Sequence, residues 1–109
     1  MNMIYFIKEG IKQAIIQASI KREFINVDEY MRGIGKTSAL IEFAKENDLT
    51  LIVPHEATAY RLRQEDGIKA YGQDWMPRGL DKERFVFDEG VDHTRLPAGQ
   101  IATGFILDK

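Results

Sequence analysis

The run Leu49-Thr50-Leu51-Ile52-Val53 is almost unbroken in its apolar character and stops at Pro54. A strand with one wet face alternates apolar and polar residues, because successive side chains point to opposite sides. A run without that alternation needs cover on both faces, the situation of a parallel strand between layers. Pro54 has no N–H to give to a ladder and closes the run. Phe85-Val86-Phe87 repeats the pattern and ends in Asp88-Glu89.

Segments of helical period lie between such runs. Residues 8 to 22 place Ile11, Ala14, Ile15, Ala18 and Ile20 roughly on one stripe and predict an amphipathic helix. Phe24, Ile25 and Val27 form a short strand, residues 30 to 36 a glycine-bearing loop, and Thr37 to Lys45 a helix burying Leu40, Ile41 and Ala44. Ala57 to Gln64 is a further helix. Residues 65 to 82 read as loop with a weak strand at Ile68 to Tyr71, and Ile101 to Leu107 is the last strand. The class is α/β, a small, mostly parallel wound sheet flanked by helices.

At 109 residues and 44% apolar, the chain suits one domain over residues 1–109, with an N-terminal segment over 1–23 and a core over 24–107. Fifteen Lys and Arg against 17 Asp and Glu leave a formal charge of −2, so nucleic-acid binding finds no support in bulk charge. The absence of cysteine excludes disulfides and thiolate metal sites and fits a reducing compartment. No segment approaches about 18 consecutive apolar residues, and Ile4 to Ile7 is followed by no cleavage pattern. The expectation is a soluble cytoplasmic protein without membrane partners.

Chemistry concentrates in Arg32-Gly33-Ile34-Gly35-Lys36-Thr37-Ser38. The stretch follows a strand and opens a helix, where backbone N–H groups and the helix terminus meet a phosphate. There Lys36 reaches the β- and γ-phosphates of a nucleotide and the Thr37 hydroxyl ligates Mg²⁺. The bland alternative is a tight turn that needs Gly33 and Gly35 only for positive φ, with Lys36 merely solvated. A cradle also requires a carboxylate at the end of a neighbouring buried strand. Arg-Phe-Val-Phe-Asp-Glu supplies one: Asp88 for the metal and Glu89 as the base that activates water, against the alternative of a solvated acidic turn.

Arg-Gly-Ile-Gly-Lys-Thr resembles the variant P-loop, or Walker A, of viral DNA-packaging terminase ATPases, with Tyr30 where the usual P-loop has its first glycine. Phe-Val-Phe-Asp-Glu is similar to the Walker B element of helicase and terminase ATPases. The resemblance implies a minimal RecA-like P-loop domain that binds ATP with Mg²⁺ and hydrolyses it slowly, a bacteriophage-type product working in the host cytoplasm. By the same resemblance Arg32 sits near the γ-phosphate and Lys36 and Glu89 are catalytic. The loop over Arg32 to Ser38 binds the nucleotide, and Thr37 and Asp88 hold the metal. Leu-Ile-Val-Pro-His resembles helicase motif Ia, with His55 or Thr58 facing nucleic acid, and Ile-Ala-Thr-Gly-Phe resembles a coupling strand with Thr103 near the γ-phosphate. Each has a plain structural alternative, a polar helix start and a β-branched core residue.

Gln13 and Gln17 lie where such ATPases often keep an adenine-reading glutamine, but on an amphipathic helix they read as surface residues. His55 and His93 lack a third ligand at metal spacing. Trp75 reads as closing a satellite core, or else as a base-stacking ring. Arg61, Arg63 and Lys69 form a modest basic patch. No second motor lobe is recognised, and Arg78, Arg84 and Arg95 are the candidates for an arginine finger. A motor built on this chain therefore needs further copies of itself, or a protein partner, for a second lobe or finger. The rival expectation is a non-hydrolysing interaction or regulatory protein that keeps the fold; a nucleotide kinase would need a lid and an acceptor site.

Overall fold

A computed structural model describes residues 3–27 and 35–107. In chain order the elements are α1 (Met3–Lys21), β1 (Ile25–Val27), α2 (Lys36–Asn47), β2 (Thr50–Val53), α3 (Glu56–Glu65), β3 (Ala70–Gly72), β4 (Phe85–Phe87) and β5 (Ile101–Leu107). Short 3₁₀ turns at Gln73–Trp75, His93–Arg95 and Ala98–Gln100 interrupt the later connections. The five strands form one sheet in the order β1-β5-β4-β2-β3, and every described pairing is parallel. The α/β class expected from the uninterrupted apolar runs is thus observed. All four residues of β2 and all three of β4 are buried.

Strand order and chain order together dictate the layers. From β1 to β2 and on to β3 the chain moves one way across the sheet, and from β3 to β4 to β5 it moves back. Parallel crossovers are right-handed, so the outward and returning connections must lie on opposite faces. The outward connections are α2 and α3. With α1 they cover a cluster that includes Ile15, Leu40, Leu51, Val53, Ala59, Val86 and Phe105. The returning connections carry only 3₁₀ turns over a smaller cluster of Ile52, Phe85, Phe87, Val91 and Leu96.

In α1, Ile11, Ile15 and Ala18 are buried as expected, but Ile20 is 72% exposed. At 100° per residue, nine positions turn a side chain to the opposite side of the helix, so Ile20 cannot share the stripe of Ile11. Lys12 joins α1 to α2 through Glu46 at 2.6 Å and Glu42 at 3.5 Å. Its pKa is raised, chiefly by the Glu46 hydrogen bond.

Gly104 settles how β4 and β5 fit together. It pairs with Phe87 in the ladder, and a Cβ on it would come within 2.3 Å of a Phe87 ring carbon. The missing side chain is the space in which the ring lies. Phe87 then meets the edge of Phe24 at 5.2 Å and stacks on His93 at 5.4 Å. No described helix is long and apolar enough to cross a membrane.

Candidate functional site

The site is built where α2 begins and β4 ends. Gly35 precedes α2 in the left-handed conformation, φ 66°, which suits a residue without a Cβ. It offers no side chain to cap the helix, and no acid occupies the first turn. The positive end of α2 therefore has amides that no side chain of the described residues caps, the arrangement that attracts an anion.

Asp88 arrives from the other direction. Its backbone N–H donates to the Ile52 carbonyl at 3.0 Å, carrying the β2–β4 ladder one residue further and anchoring the strand end. Gly90 turns the chain away at φ 89°, and a Cβ there would stand 3.0 Å from Pro54 Cγ. Pro54 thus bounds both β2 and the acidic turn, a second use that the sequence does not display.

The two ends meet through four side chains. The Thr37 hydroxyl donates to Asp88 Oδ2 at 3.0 Å across 51 residues of chain. Lys36 Nζ lies 3.3 Å from Glu89 Oε1. Asp88 Oδ1 accepts the Glu89 backbone N–H at 2.9 Å, which fixes the carboxylate plane. Lys36 is only 5% exposed, too buried to be a merely solvated lysine. Glu89 Oε2 is buried with no hydrogen-bond partner among the described residues.

Burial pushes the Asp88 carboxyl above its ordinary 3.8, and the neighbouring Glu89 charge adds to this. The Glu89 N–H, the Thr37 hydroxyl and the Lys36 charge oppose the shift without cancelling it. An Asp88 anion is thus short of compensating positive charge.

A hydroxyl and a carboxylate in contact are hard oxygen donors that fit Mg²⁺, which takes one or two protein ligands and completes its shell with water and phosphate oxygens. Among the described residues no group of three or more His, Cys, Asp or Glu converges to form an all-protein metal cage. Of the expected loop residues, Gly35, Lys36 and Thr37 stand at the site and Ser38 is exposed in the first turn of α2. Arg32, Gly33 and Ile34 lie outside the described residues, as does Tyr30.

Comparison with protein-family models, with curated proteins and with solved structures finds no match for this chain.

Several peripheral expectations are corrected. Thr103 is fully buried and pairs with Val86, two positions short of Asp88. Its hydroxyl donates to the Glu23 carbonyl at 2.8 Å and ties β5 to the chain entering β1, so it does not stand at the phosphate end. Arg63 donates to Glu56 at 2.7 Å and to the Ala70 carbonyl at 2.6 Å, with the Tyr60 and Tyr71 rings 5.8 and 5.5 Å from its guanidinium. Lys69 pairs with Glu83 and Asp48. The basic patch is therefore largely consumed by structure. Trp75 is 71% exposed and closes no core; Met76 packs on the second cluster instead. His55 is exposed at the start of α3, with its carbonyl accepting the Thr58 N–H at 3.1 Å.

Proposed function

We propose that the chain binds a nucleoside triphosphate, ATP by the resemblance of its motifs, and hydrolyses it slowly with Mg²⁺ on a minimal RecA-like P-loop domain. The observation that carries this reading is the meeting of Lys36 and Thr37 with Glu89 and Asp88 at 3.3 and 3.0 Å. The two segments stand out separately in the sequence, and a chance pair of motifs has no reason to converge. The parallel sheet holds β1, which leads toward the loop, and β4, which ends at Asp88, two places apart in one layer, and this is compatible with the reading.

Each side chain has a role that follows from its surroundings. The uncapped amides of α2 and the Lys36 ammonium receive the phosphates. Thr37 and Asp88 would hold Mg²⁺, which supplies charge neutralisation on the phosphate oxygens. Lys36 must leave Glu89 to reach a phosphate, and its departure frees Glu89 Oε1 beside the already unpartnered Oε2. Glu89 then has both oxygens available to orient a water and take its proton. Further copies of the chain, or a protein partner, would supply the arginine that the described site lacks.

The Lys36–Glu89 pair also favours a second reading, in which the loop is self-neutralised and serves an interaction or regulatory protein. Titration of Mg-ATP into the wild-type chain and into Lys36→Ala separates the two. Saturable binding that the substitution removes is expected. Equal binding by both proteins, or none by either, refutes the nucleotide reading.

A further inference from the structure

We propose that the chain carries a second ligand site, for a small aromatic anion, in the cavity between the end of α1 and the β4–β5 connection. The cavity has a volume of about 340 Å³ and is lined by Arg22, Phe24, Arg84, His93, Leu96 and Ile101 among others. That is within the size of ordinary small-molecule sites, which combine an apolar wall with a few polar groups. It shares no residue with the Lys36–Asp88 site. Arg22 and Phe24 precede β1, Arg84 precedes β4 and Ile101 opens β5, so the cavity lies toward the strand beginnings and the phosphate site at their ends.

Charge selects the ligand's sign. Two arginines, Arg22 and Arg84, line the cavity and no Asp or Glu does, in a chain whose net charge is −2. Among the described residues neither Arg22 nor Arg84 has an ion pair or a side-chain hydrogen bond. A second cavity of about 410 Å³ near Lys69 shares Arg84 with this one and also has Lys69 and Lys82 on its wall, but there Asp48 and Glu83 supply acids and pair with Lys69. A planar fork of donors suits a carboxylate or a phosphate.

The rings select the rest of the ligand. Phe24 is 36% exposed, large for an aromatic residue wedged against Phe87 and His93, and it lines the cavity together with Leu96 and Ile101. The Phe24 and His93 rings lie 4.8 Å apart at 64°, an edge-to-face pair. A flat aromatic body on these rings, with its acid toward the guanidinium groups, satisfies both halves of the wall.

The backbone supplies an independent argument. Arg22 closes α1 with φ 57°, its N–H to the Ser19 carbonyl at 3.3 Å and the Glu23 N–H to the Ala18 carbonyl at 2.9 Å. This is the helix ending that glycine normally completes, because a Cβ is strained at positive φ. An arginine stands where the helix by itself would favour glycine, and the cavity gives its side chain a use.

The same strain makes the test clean. Amide-shift titration of the full chain with 2-naphthoate and with 2-naphthyl phosphate should move residues 22–24 and 93–101, and 2-naphthylmethylammonium should not. Whichever acid binds more tightly tells an aromatic carboxylate from a phosphate ester. Arg22→Gly should keep or raise the unfolding midpoint while weakening both acids on the order of tenfold or more, the usual worth of a hydrogen bond to a charged group. Arg84→Gln should weaken them without altering the end of α1. The proposal is overturned if the ammonium probe binds equally, if Arg22→Gly binds like wild type, or if neither acid approaches saturation by about 1 mM.

Discussion

Replacing Gly104 by alanine adds one methyl group at a place where it cannot be accommodated without moving a ring. The new Cβ would lie 2.3 to 2.4 Å from three carbons of Phe87, well inside van der Waals contact. Phe87 is fully buried, so it cannot swing into solvent. It must shift against Phe24 and His93, or β4 and β5 must separate in the middle of the sheet. Overpacking of this kind costs about 1–3 kcal/mol. With a urea dependence of about 2 kcal/mol per molar, the unfolding midpoint should fall by roughly 1 M. Phe87→Leu should cost less in the alanine background than in wild type, because the shorter side chain vacates the contested space. A midpoint within about 0.3 M of wild type, or double-mutant energies that add within about 0.5 kcal/mol, would refute the assignment of Gly104 to the Phe87 ring.

Asp88→Asn tests the buried carboxylate in protein held in chelator. Because the folded pKa is raised, the native state binds the proton more tightly than the unfolded chain, and Asp88 costs stability as pH rises above 3.8. The asparagine carbonyl can keep the Glu89 N–H while its amide donates to the Thr37 hydroxyl oxygen, so the variant should unfold at higher urea than wild type at pH 7, with the difference shrinking toward acid; a constant difference across pH would contradict this. Glu89→Gln removes the partner that Lys36 must leave, so Mg-ATP should bind at least as tightly as to wild type while phosphate release stops. Loss of binding equal to that in Asp88→Asn would remove Glu89 from its role. Arg63→Ala should destabilise by about 1–3 kcal/mol through its lost hydrogen bonds, whereas the exposed Arg61→Ala should change stability by less than about 0.5 kcal/mol. DNA binding by the wild-type chain, measured by anisotropy, should remain in the non-specific range of roughly 10⁻⁴ to 10⁻⁶ M at physiological salt; submicromolar affinity that is lost in both arginine variants would restore the basic patch as a nucleic-acid surface.

Leu49 to Val53 and Phe85 to Phe87 declare their burial in the sequence, because an apolar run without alternation has no wet face to offer. The same local logic marks Gly35 before a helix and an Asp-Glu pair after a strand, so the helix start and strand end that form the site are legible before any fold is known. Their contact is not. The meeting of Thr37 with Asp88 depends on β2 and β4 being neighbours, with the Asp88 N–H on the Ile52 carbonyl, and strand order is a property of pairings far apart in the chain. Thr103 resembles a phosphate-end residue by its motif, but the Val86 register sets it two positions lower and gives its hydroxyl to Glu23. Arg63 reads in the sequence as a solvated base, and only the approach of β3 to α3 brings it the Ala70 carbonyl and the Tyr71 ring. Period and composition report which side of an element is buried, since that is decided residue by residue. Which polar groups find each other, and which glycine leaves room for which ring, is decided only when strands distant in sequence lie side by side.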